Sequence, residues 1–115
     1  MAIVKTSELE GAALDWVVEK ATGYQGHVYK DAAGELRHGV LASLWNPSTG
    51  WSLGGPLIER YGADCRVMYS GTVEAHVPGG MGIGPTYLIA VMRAIVAAEL
   101  GDEVDIPDEL MELKS

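Results

Sequence analysis

The chain has 115 residues, 48% of them hydrophobic, with three Trp, five Tyr and no Phe; this predicts a single domain over 1–115 whose core needs no staples. A formal net charge of −8 repels a polyphosphate backbone and argues against duplex nucleic acid as a partner. The lone Cys65 excludes an intramolecular disulfide and a cysteine-rich metal site, and the lack of a leader-like start or a long apolar run predicts a cytoplasmic protein with no membrane partner.

Ser7-Glu8-Leu9-Glu10 has capping-box spacing, and Leu9, Ala12, Ala13, Trp16, Val17 and Lys20 follow at helical intervals. A first helix is expected over about 7–22, ending near Gly23. From Tyr24 onward the pattern turns to short β-compatible runs. His27-Val28-Tyr29 and Gly39 to Trp45, separated by Asp31-Ala32-Ala33-Gly34, read as one hairpin.

Trp45-Asn46-Pro47-Ser48-Thr49-Gly50-Trp51-Ser52-Leu53-Gly54-Gly55-Pro56 reads as a loop that is over-specified for a mere connection. Short hydrogen-bonding groups stand between two indoles, and Gly54-Gly55 lets a backbone pass close to something bulky. A planar group stacked on one indole gains roughly 1–3 kcal/mol, by analogy with single-stranded nucleic-acid readers. The bland alternative is that Trp45 and Trp51 close one end of the core.

Cys65 to Tyr69 and Thr72 to Val77 flank Ser70-Gly71 as a second hairpin. Pro78 to Thr86 reads as a glycine-rich loop, but Gly80, Gly82 and Gly84 fit neither the Walker nor the dinucleotide spacing. The loop feeds a helix whose free N–H groups near Thr86 can receive an anion. That helix, about 85–100, carries Leu88, Ile89, Met92, Ile95, Val96 and Leu100 and should form the centre of the core. Beyond Gly101 the residues to Glu112 form an acidic tail, read as solvated, with a short turn at Pro107 to Met111. The fold class is α+β: a small antiparallel sheet packed with two main helices.

Arg93, inside an apolar helix, needs a carboxylate, phosphate or carbonyl partner, with Glu59 or Glu99 as candidates; Arg60 is the other basic residue of interest. His27, His38 and His76 lack metal-ligand spacing. No serine sits in a nucleophile elbow, and Cys65 has no adjacent base, so no catalytic residue and no cofactor is expected.

Four blocks share an order and spacing with a known family: Thr6 to Trp16, Trp45 to Glu59, Gly84 to Arg93 and Leu100 to Leu110. Across nearly the whole chain they resemble the phage NinX-like proteins. The sequence departs from that pattern at Gly50, where an Asp usually precedes the second Trp, and at Tyr87, where a Pro often follows Thr. The resemblance implies a phage or prophage accessory protein of the host-cell cytoplasm and brings no catalytic residues with it.

The leading expectation is non-catalytic binding of a small nucleotide-like ligand, with Trp45, Asn46, Ser48, Trp51, Gly54, Gly55, Arg60 and Thr86 as the binding residues. The phage context extends this to sequestering a host immune signalling nucleotide. A pocket in so small a domain gains depth at a subunit boundary, so a homo-oligomer is expected. The competing class is a factor that engages a host or phage protein through its acidic tail or indoles, and a small nucleotide-processing enzyme ranks last.

Overall fold

The computed structural model describes residues 2–22, 28–30, 36–38 and 47–106. The element order is β1 (Ala2–Lys5), a 3-10 turn (Thr6–Glu8), α1 (Gly11–Thr22), β2 (Val28–Lys30), β3 (Leu36–His38), α2 (Trp51–Tyr61), β4 (Asp64–Val67), β5 (Val73–Val77), β6 (Gly80–Gly84), α3 (Tyr87–Leu100) and β7 (Glu103–Ile106). The strands form a three-stranded antiparallel sheet in the order β4-β5-β6 and two antiparallel ribbons, β1-β7 and β2-β3. The α+β class therefore holds.

The apolar helix α3 is the centre of the core: Val91, Met92, Ile95 and Val96 have no exposed surface. It packs on the inner face of the three-stranded sheet and against α1, whose Leu14, Val17 and Val18 are equally buried. A helix that is apolar nearly all round suits this position between a sheet and a second helix. Thr86 caps it, its hydroxyl accepting the Ile89 N–H at 3.1 Å, and Gly101 ends it at φ 99°.

The first helix starts later than its capping-box spacing suggests. Thr6–Glu8 turn as a 3-10 segment, Leu9 is extended at φ −70° and ψ 136°, and α1 begins at Gly11 with φ +56°. A left-handed residue cannot continue a right-handed helix, and glycine takes that conformation without steric cost. The detour has a use, because it turns the Leu9 carbonyl toward α3.

Pro78 to Thr86 is mostly not a loop. Gly80, Gly82 and Gly84 lie on β6, alternate in register opposite Val77, Ala75 and Val73, and face α3. A Cβ on Gly82 would overlap the Ala90 carbonyl oxygen and stand 2.5 Å from the Ala94 nitrogen, and one on Gly80 would stand 2.6 Å from the Ala98 nitrogen. The glycines bring strand and helix main chains together, a packing role that leaves no Cβ on that face of the strand.

Two further segments differ from the sequence reading. Trp51–Tyr61 is helical despite Gly54, Gly55 and Pro56, because Leu53, Gly54, Leu57 and Ile58 form one inward stripe. Residues Glu103–Ile106, read as solvated tail, pair with β1 and bury Val104 and Ile106 while Glu103 and Asp105 face outward. The β4-β5 hairpin matches expectation. β2 pairs with Leu36–His38, whereas the partner expected for it, Gly39 to Trp45, lies outside the described residues, as does the Pro107 to Met111 turn.

Candidate functional site

A cleft of about 520 Å³ opens where the first turns of α2 and α3 meet. Ser48, Thr49 and Trp51 form one wall, Pro85, Thr86 and Tyr87 the other, with Val67 and Val73 of the sheet at its side. The two segments singled out in the sequence thus meet in space. None of the residues lining this cleft is Lys, Arg, Asp or Glu.

Three features define its chemistry. Both helices point their N-termini at the cleft, and each terminus carries roughly half a positive charge. No side chain caps α2 at Gly50, so the N–H groups of Trp51 and Ser52 have no intrahelical acceptor, while on α3 the cap satisfies Ile89 and leaves Tyr87 and Leu88. Trp51 is 59% exposed and Tyr87 42%, so two aromatic rings border the same space.

The third feature is Ser48. Its residue is 1% exposed, its main-chain N–H donates to the Asp15 carboxylate at 2.8 Å, and its hydroxyl has no hydrogen-bond partner among the described residues. A buried hydroxyl without a partner costs free energy comparable to a lost hydrogen bond, and Ser48 carries that cost at the wall of the cleft. The acid that holds Ser48 comes from α1, so a core helix fixes the site's geometry.

Of the expected binding residues, Ser48, Trp51 and Thr86 line this cleft together. Gly54 lies one turn into α2, where a Cβ would collide with the Pro47 carbonyl oxygen and stand 2.5 Å from Leu88 Cδ2; it lets the two helices approach and does not line the cleft. Gly55 sits beside Trp51, 3.9 Å from its ring by the same measure. Arg60 is on the last turn of α2 with its guanidinium over the Tyr61 ring at 5.6 Å, and does not line the cleft. Trp45 and Asn46 lie outside the described residues. Tyr87 and Asp15 escaped sequence reasoning: the Tyr follows Thr86 directly and was legible, whereas Asp15 becomes relevant only through tertiary contact.

Elsewhere, Arg93 takes carbonyls from among the partner types expected for it, rather than Glu59 or Glu99, Nε donating to Leu9 O at 2.8 Å and Nη1 to Ile83 O at 2.7 Å. Burial, with the Asp64 carboxylate adding to it, pushes the Cys65 thiol above its ordinary range, so it stays protonated at neutral pH. His76 bonds Glu74 at 2.9 Å on the outer sheet face. Among the described residues no group of three or more His, Cys, Asp or Glu is placed to hold a metal, and no helix is long and apolar enough to cross a membrane.

This arrangement belongs to a phage protein. The family model for NinX of bacteriophage P22 matches residues 5–99, and the chain belongs to that family. A comparison with curated proteins finds no match.

Proposed function

We propose that this phage protein binds a small nucleotide-like anion in the cleft between α2 and α3 and holds it without chemical change. The observation that carries the reading is that the N-termini of α2 and α3 meet at one cleft bordered by the exposed Trp51 and Tyr87 rings. A phosphate oxygen there meets main-chain N–H groups and favourable helix dipoles. The exposed Trp51 indole offers a stacking face for a base, worth roughly 1–3 kcal/mol. None of the described residues lining the cleft is His, Cys, Lys, Asp or Glu, which fits retention better than turnover.

The absence of Lys and Arg from the lining favours a ligand of low charge per phosphate, such as a phosphodiester, over a triphosphate. In a phage-infected cell such binding would sequester a host signalling nucleotide in the cytoplasm. A second copy covering the open side would deepen the cleft, which supports a homo-oligomer as the working form.

The test is native mass spectrometry of protein purified from phage-infected cells, followed by release and identification of any bound small molecule. An intact nucleotide, lost in Trp51→Ala, is the expected outcome. A clean apo mass from infected and from defence-activated cells would overturn the reading and shift weight to a protein partner.

A further inference from the structure

A second cleft, of about 440 Å³, lies along the outer edge of β6, with the Lys5 to Ser7 segment across from it and Arg93 in its wall. We propose that it captures the carboxy-terminal end of an extended peptide, which adds as a strand beside Met81 and places its terminal carboxylate on Arg93.

The edge is open for a definite reason. Val77 and Gly80 close the Pro78-Gly79 turn, and in a two-residue hairpin the closing pair exchanges hydrogen bonds, as does every second pair beyond it. The main-chain groups of Gly80, Gly82 and Gly84 are therefore spent on β5, and those of Met81 and Ile83 point away from it. The Ile83 carbonyl is taken by Arg93 Nη1. Among the described residues the Met81 N–H and C=O and the Ile83 N–H remain as a short template for strand addition.

Arg93 sets the limit and the direction of that strand. It is 9% exposed, and its Nε and Nη1 are anchored on two carbonyls, while Nη2 has no hydrogen-bond partner among the described residues. Carbonyls fix the orientation of a guanidinium without neutralising its charge; the Glu10 carboxylate acts on it through space without a hydrogen bond among the described residues. Because Arg93 occupies the edge at Ile83, an incoming strand has to end there. A terminal ammonium at that point meets a like charge, whereas a carboxylate meets a preset donor, so the strand runs parallel to β6. Its earlier residues pass the part of the cleft lined by Asp102 and Glu103 with Lys5, whose net negative charge suits a basic side chain upstream. Met81 and Ile83, 48% and 40% exposed, offer an apolar surface to its last residues.

This site shares no lining residue with the cleft between α2 and α3, so either proposal can fail alone. The experiment titrates isotope-labelled protein with a pool of acetylated pentapeptides carrying a basic second residue, apolar last two residues and a free carboxylate. The matching pool of carboxy-terminal amides is the control. The Met81 and Ile83 amide signals should shift and gain protection from hydrogen exchange, and amidation should weaken binding at least tenfold. Arg93→Lys should weaken it comparably. Because Arg93 also braces the fold, Met81→Pro is the second variant: the Met81 N–H faces the open edge, so proline spares the β5 ladder and should abolish binding. No shift with millimolar acid pool, equal affinity for acid and amide, or unchanged binding by Met81→Pro would each overturn the proposal.

Discussion

The main-chain N–H of Ser48 donates to the Asp15 carboxylate across 33 residues of sequence, at 2.8 Å and out of contact with water. This bond ties the segment leading into α2 to the core helix α1 and fixes one wall of the cleft. Removing the acceptor leaves a buried donor without a partner. Asp15→Ala should therefore lower stability by about 1–3 kcal/mol, read as a shift in the urea midpoint at unchanged slope, and should weaken ligand binding as well. A variant with native stability would show that the bond does not hold the segment.

Thr86 separates folding from binding. Asp is as good a helix cap as Thr, so Thr86→Asp should keep thermal stability within a few tenths of a kcal/mol. It also sets a negative charge at the mouth of a cleft that is otherwise uncharged, and binding of an anionic nucleotide should be lost. Thr86→Ser, which keeps the hydroxyl cap seen to the Ile89 N–H, should retain both properties. Calorimetry with the ligand released from the native protein reads the difference.

Two glycines that look alike in sequence should respond very differently. Gly82→Ala forces a methyl group into the Ala90 carbonyl and the Ala94 nitrogen, both of them main chain, and should cost at least the upper end of the about 1–3 kcal/mol typical of overpacking. Gly55→Ala meets, beyond its chain neighbours, only the Trp51 ring at 3.9 Å, but its new Cβ crowds the Pro56 ring in helical conformation, which offsets the helix-propensity gain of about 0.5–1 kcal/mol and should leave stability nearly unchanged. Paired denaturation curves decide it.

The outer face of the sheet predicts an acid-side pH dependence. The hydrogen bond with His76, joined by Arg66 at 3.1 Å, holds the Glu74 carboxyl below its ordinary range. A group depressed in the folded state contributes stability that is fully present above the unfolded carboxylate pKa and is lost as pH falls through the folded value. His76→Ala should move the Glu74 titration upward, toward the ordinary range, as followed by carboxyl-carbon NMR. An unmoved Glu74 titration would show that His76 is not its partner in solution.

The parts of this fold legible in the sequence are those where local preference and tertiary demand agree. α3 has apolar residues on nearly every face, and the β4-β5 hairpin has β-branched residues on both sides of Ser70-Gly71. The misreadings share a cause: close packing needed residues whose intrinsic preference points elsewhere. Gly54, Gly55 and Pro56 argue against a helix, yet Gly54 is the residue that lets α2 meet Pro47 and Leu88. Gly80, Gly82 and Gly84 have poor strand propensity, but their period of two was the strand signal. Glu103 and Asp105 hid the alternation of Val104 and Ile106 that makes β7. In the site, composition singled out Ser48, Trp51 and Thr86, which do meet, whereas the role of Asp15 depends on a fold that brings α1 beneath them.

The contact between β6 and α3 is also a measuring device. Alternate strand residues advance by roughly 6.8 Å, and every fourth helix residue advances by about 6.0 Å. Gly80, Gly82 and Gly84 can therefore stay nearly in step with Ala98, Ala94 and Ala90 as the helix runs back along the strand. The mismatch of roughly 0.8 Å per rung accumulates to about 1.6 Å over the three rungs, so a fourth would fall out of phase. The two scales act as a vernier: they agree at one setting, in which Gly82 also makes room for the Arg93 Cβ and Gly84 for Ile89, and sliding the helix by a single residue would break that match. In this way the longest helix of the described chain is indexed to its sheet, and the placement of Thr86 at the mouth of the cleft follows from a count of glycines.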